Sequence, residues 1–151
     1  MQNLIRMLFA FLFACSINLQ AQENKFNPAL AKKLGADEYG MKKYVLVILK
    51  KGPKRDQDSA TAAKIQAGHM ANIEQLAKEG VLTLAGPFLD DGPLSGIFIF
   101  NVESVEKARV FTEADPAVKS GRLVMELHPW YGSAALMDVN NTHKMIQQRE
   151  F

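Results

Sequence analysis

The stretch that most constrains this chain covers residues 59–87, SATAAKIQAGHMANIEQLAKEGVLTLAGP. Ala62, Ile65, His69, Ile73 and Leu76 recur at spacings of three and four, which a 3.6-residue period gathers into one stripe. At about 100° per residue, His69 falls between Ile65 and Ile73, near the middle of that stripe. An imidazole on the face that a helix turns toward a sheet needs a polar partner from elsewhere in the chain. Gly80 ends the helix, and residues 81–85 enter an apolar strand.

The sheet is read from the remaining periodicities. Residues 43–49, KYVLVIL, are aromatic and β-branched, apolar on both faces, and therefore a central strand. Gly52-Pro53 closes it, and Asp58 or Ser59 caps the long helix. A second strand over 82–85 stops at Gly86-Pro87. The turn signal Asp90-Asp-Gly-Pro93 leads into a third strand over 94–102, which pairs most simply with the second as a hairpin. Ser104 caps a second helix with Val105, Ala108 and Thr112 on one face, and Asp115-Pro116 breaks it. Residues 122–128 alternate, Leu123, Met125 and Leu127 against Val124, Glu126 and His128, as a fourth strand. The order β-α-β-β-α-β is the α+β, ferredoxin-like arrangement, two helices on one side of a four-stranded antiparallel sheet. The other sheet face is also apolar, at 44–49 and 97–100, and no core element is left to cover it. A homodimer through the sheet faces, a dimeric α+β barrel, is the economical answer.

The ends read differently from this body at 43–131. Arg6 precedes a compact apolar run at 7–14, too short for a bilayer core of about 30 Å. Residues 1–21 are read as a signal peptide cleaved after Ala21, with acylation at Cys15 or an uncleaved apolar tail as the alternatives. The expectation is an exported protein, periplasmic or secreted, or lipid-anchored at Cys15, with no transmembrane segment. Residues 22–42 form an arm with a short helix capped by Asn27, started by Pro28 and ended by Gly35, expected to pack through Leu30, Leu34 and Tyr39. Residues 132–151 form an extension whose helix runs from Asn141 or Thr142 to Arg149, with Met145 and Ile146 able to dock on the partner. Without residues 1–21 the 18 basic residues become 17, because only Arg6 is lost, against 16 acidic ones. That balance gives no electrostatic case for nucleic acid. Cys15 is the single cysteine, so the body has no internal disulfide.

The pieces Leu49-Lys-Lys-Gly-Pro53, Gly68-His-Met70, Leu84-Ala-Gly-Pro87, Gly96-Ile97, Asp115-Pro-Ala-Val118 and Glu126-Leu-His-Pro-Trp130 resemble, in this order, the YCII-related family of small dimeric α+β proteins. The resemblance implies a ferredoxin-like fold, sheet-to-sheet pairing and an active-site pair formed by His69 and Asp115. One branch of that family removes chloride from a chlorinated hydroxyhydroquinone, while most members have no assigned reaction.

An imidazole oriented by a carboxylate is a general base with a fixed tautomer. The same two residues could instead be a satisfied structural pair locking two helices together. Lys50, Lys51 and Arg55 could hold an anionic or phenolic ligand, or simply be a solvated basic loop. Asp90 and Asp91 could line a pocket mouth, although a turn before Gly92-Pro93 explains them. Trp130 and Tyr131 fit either an aromatic ligand or a dimer contact. His69, His128 and His143 lack tight metal-ligand spacing, though Glu126 and His128 share a strand face. Gly86-Pro-Phe-Leu lacks the lysine and hydroxyl of a phosphate loop, so no cofactor is implied. Together with these residues, the resemblance implies a cofactor-free lyase or dehydrochlorinase-like enzyme acting on a small hydroxylated cyclic or aromatic compound. The alternatives are a non-catalytic small-molecule-binding module and a purely structural dimer.

Overall fold

In a computed structural model, which describes residues 25–149, the chain runs α1 (Pro28–Leu34), β1 (Met41–Lys51), α2 (Ser59–Lys78), β2 (Leu82–Pro87), β3 (Leu94–Phe100), α3 (Val105–Ala114), α4 (Pro116–Lys119), β4 (Leu123–Ser133), a 3-10 turn (Ala134–Asp138) and α5 (Val139–Ile146). The sheet order is β2-β3-β1-β4 with every pairing antiparallel, the ferredoxin-like topology. The signal-like stretch 1–21, with Arg6 and Cys15, lies outside the described residues.

Local chemistry sets the helix ends. Asn27 accepts from Leu30 N–H at the start of α1, Asp58 from Thr61 N–H at the start of α2, and Ser104 from Lys107 N–H at the start of α3. Gly35 follows α1 at φ 69°, where a Cβ would be strained. The core lies between the helices and one sheet face: Val45, Val47 and Leu49 of β1 meet Phe98 and Phe100 of β3, with Leu76 of α2 and Ala108 of α3 above them. Each such fully buried aliphatic or phenyl side chain contributes about 1.5–3 kcal/mol. β4 continues through Pro129 to Ser133, beyond residue 128. It lies at a sheet edge, where a proline can leave its missing N–H on the unpaired side.

Three expectations need correction. Leu30 and Tyr39 are exposed, and the arm instead meets the 3-10 turn. The last helix, α5, begins at Val139, two or three residues before Asn141 or Thr142, and ends at Ile146 rather than Arg149. The sheet face turned away from the helices is not left wholly open. The extension folds back on its own chain: Ala134 N–H donates to Gly40 C=O, Tyr44 OH to Ser133 C=O, and Asn140 Nδ2 to Leu82 C=O. Tyr44 and Ile99, which point to this face, are thereby buried. Leu46, Ile48 and Ile97 on the same face stay half-buried, and Val124 is 48% exposed.

Candidate active site

α2 carries His69 on its inward face, as its spacing from Ile65 and Ile73 requires. The imidazole stacks on the Phe98 ring, with centroids 5.9 Å apart and planes 24° from parallel. Its Nδ1 lies 2.8 Å from Asp115 Oδ2. Asp115 is fully buried at the joint between α3 and α4, in extended geometry imposed by the following Pro116. Its other oxygen, Oδ1, accepts from Ala117 N–H at 2.8 Å and so caps α4. The carboxylate therefore caps the turn with one oxygen and holds the histidine with the other.

Gly68 makes the approach possible. A Cβ there would stand 3.1 Å from Pro116 Cγ and 3.3 Å from its Cβ, so the bare backbone lets the proline ring close on α2. His69, which follows Gly68, and Asp115, which precedes Pro116, are then within reach of one another.

Burial alone would push the Asp115 carboxyl up. The hydrogen bond and charge of His69, the Asn72 amide and the Ala117 N–H outweigh it and hold the carboxyl below its ordinary value. An ionised carboxylate only accepts, so His69 Nδ1 is the donor, and in the neutral ring the lone pair sits on Nε2. Nε2 takes no partner among the described residues, yet no buried side-chain nitrogen or oxygen there is left unsatisfied. The small exposed part of the side chain, 9%, therefore includes Nε2. A base held in one tautomer, with its lone pair reaching the exterior, is what this arrangement offers.

The other sequence-derived candidates lie apart from this pair. Lys50 points to the opposite sheet face, where it pairs with Glu126, which in turn meets His128 Nε2 at 3.0 Å. Alternation from the core residue Leu49 puts it there. Arg55 donates to Arg122 C=O in the loop before α2, and Ser59 to His69 alone is about 15 Å of helix. Asp90 accepts from Gly92 N–H within its turn, and Lys51 Nζ donates to Asp91 C=O. Trp130 is on the outer face too, its ring 5.9 Å from that of Tyr44 and lying over Gly132. Tyr131 donates to Asp37 where β1 begins and β4 ends. A concave surface of about 770 Å³ opens there, lined by Lys42, Glu103, Lys107 and Tyr131. Lys107 is already paired with Glu103, and the surface includes neither His69 nor Asp115, so the chemistry favours the buried pair.

Asn72 was not singled out from the sequence, although it lies one turn beyond His69 on the same helix face. Its Nδ2 donates to Asp115 Oδ2 at 2.9 Å. Among the described residues no group of three or more His, Cys, Asp or Glu is placed to hold a metal ion, and no helix is long and apolar enough to cross a membrane.

A family model, the YCII-related domain, matches residues 42–131. The uncharacterized protein YjpA of Bacillus subtilis (strain 168) is 33% identical over 64 residues, 42% of this chain and 73% of its own. Among solved structures, 5-chloro-2-hydroxyhydroquinone dehydrochlorinase (TftG) from Burkholderia phenoliruptrix AC1100, in complex with 2,5-dihydroxybenzoquinone, aligns at 23% identity and a TM-score of 0.44, over 57% of this chain and 92% of that one. Muconolactone isomerase aligns at 18% identity and a TM-score of 0.48, over 58% of this chain and 86% of that one.

Proposed function

The chain belongs to the YCII-related family, and from that premise we propose that His69 and Asp115 act as a cofactor-free base on a small hydroxylated cyclic or aromatic compound. The observation that carries this reading is the buried Asp115 carboxylate on Nδ1, which leaves Nε2 as the proton acceptor. Nε2 takes a proton from carbon or oxygen of the substrate. The electron pair left behind forms a new double bond, and a leaving group such as chloride departs with its own pair. The imidazolium, stabilised by Asp115, then returns its proton to water. The substrate class is supported by the family resemblance of the motifs around His69 and Asp115.

Turnover is tested on a panel of hydroxylated rings with and without a leaving group, followed by proton NMR. For a compound that is converted, His69→Gln should lower kcat/KM by on the order of a hundredfold or more. Full activity in a folded His69→Gln protein would end the mechanism. One observation favours a non-catalytic binding module: Lys50 is on the other sheet face, so within one chain it brings no cation to His69. A ligand held unchanged, with affinity lost in His69→Gln, would be that module's result.

The same reading extends to assembly. The half-buried Leu46, Ile48 and Ile97 are closed by a second copy of the chain. The Lys50, Glu126 and His128 cluster beside them carries both signs of charge, which suits a two-fold, self-complementary contact. Sedimentation of protein lacking residues 1–21 should give a dimer at micromolar concentration. A stable monomer there would show that the extension alone suffices to cover this face.

A further inference from the structure

The Asn72 side chain makes one hydrogen bond among the described residues, and it goes to Asp115 Oδ2, the same oxygen that accepts from His69 Nδ1. Nothing in α2 itself calls for an asparagine. In a helix interior this residue is less favourable than alanine, and Asn72 caps neither end. A side-chain amide can turn either its oxygen or its nitrogen to a neighbour. Only the N–H end suits an ionised carboxylate, so the charge on Asp115 sets the amide's orientation. With Ala117 N–H on Oδ1, the buried carboxylate is gripped by donors at both oxygens and from two helices.

We propose that Asn72 is a positioning residue of the His69 and Asp115 pair, fixing Oδ2 on Nδ1 so that the neutral ring keeps its proton there and presents a bare Nε2. The role rests on the reading of His69 as a base, but its signature is a tautomer and a carboxylate charge, both measurable without any substrate. Without the amide, Oδ2 has His69 as its remaining donor. The carboxylate then gains proton affinity and can turn about its Ala117 cap, and the ring is released to exchange between its two protonated forms.

The experiment is nitrogen-15 and carbon-13 NMR of the full chain in wild-type and Asn72→Ala forms, with circular dichroism to confirm the fold. Wild type should show the neutral His69 ring protonated on Nδ1. In Asn72→Ala the Nε2-protonated form should rise severalfold, and the Asp115 carboxyl should titrate higher, toward its ordinary value. If Asn72→Ala does not fold, the near-isosteric Asn72→Asp takes its place: a second carboxylate beside Asp115 should push the Asp115 titration up further. An unchanged tautomer ratio and an unchanged Asp115 titration in a folded variant would overturn the role. Activity that survives His69→Gln while these NMR changes appear would sink the base reading and leave the positioning role standing.

Discussion

Asp115→Ala is expected to destabilise the protein by about 3–5 kcal/mol, the range found when one partner of a buried charged pair is removed. The carboxylate has no exposure and serves three donors at once: His69 Nδ1, Asn72 Nδ2 and Ala117 N–H. Alanine leaves all three without an acceptor, removes the cap of α4, and opens a polar hollow between α2 and the α3–α4 joint. Urea unfolding measures the loss, and a change below about 1 kcal/mol would mean that water replaces the carboxylate at little cost. The pH dependence has a definite sign. Because the folded carboxyl titrates below its ordinary value, its stabilisation is complete above the unfolded value of about 3.9 and is lost as pH falls through the folded one. Asp115→Asn should flatten that acid limb of the stability curve. Its loss of activity is to be read only after its stability has been measured, since the same side chain holds the turn.

Gly52→Ala should cost about 3 kcal/mol, the upper end of what overpacking costs, for a reason unrelated to the His69 and Asp115 pair. A Cβ at Gly52 would lie 2.2 Å from Gly121 C=O and 2.8 Å from the Arg122 carbonyl carbon. Both are backbone atoms, so no rotamer change relieves the collision. The contact is close because Gly52 N–H donates to Arg122 C=O at 2.7 Å, which ties the end of β1 to the start of β4. Lys54 N–H to Gly121 C=O extends the same tie toward the loop that leads into α2. Gly86→Ala is the control. A Cβ there meets nothing within 4 Å, and its stability should change by no more than about 0.5 kcal/mol. Equal effects at the two glycines would remove the steric explanation.

Local chemistry wrote much of this protein into its sequence. The caps at Asn27 and Ser104 and the break at Asp115-Pro116 depend on hydrogen bonds within a few residues, so they could be read directly, and the cap of the long helix could be narrowed to Asp58 or Ser59. The periodicities of 3.6 and 2 set the order of helices and strands, and the stripe through Ile65 and Ile73 placed His69 inward. The side of the sheet taken by Lys50 could not be read with equal safety. β1 is apolar on both faces, so alternation separates Leu49 from Lys50 but does not say which face the helices cover. That choice belongs to packing, and it turns Lys50 toward Glu126 and away from His69. Asn72 shared a helix face with His69 in plain view, but its use depends on Asp115 arriving from 43 residues away. The extension is a similar case: Asn140 finds the Leu82 carbonyl 58 residues away, a contact with no periodicity to announce it. Order and capping are properties of neighbouring residues. The composition of the site and the cover on the sheet come from distant segments meeting, which only the tertiary structure decides.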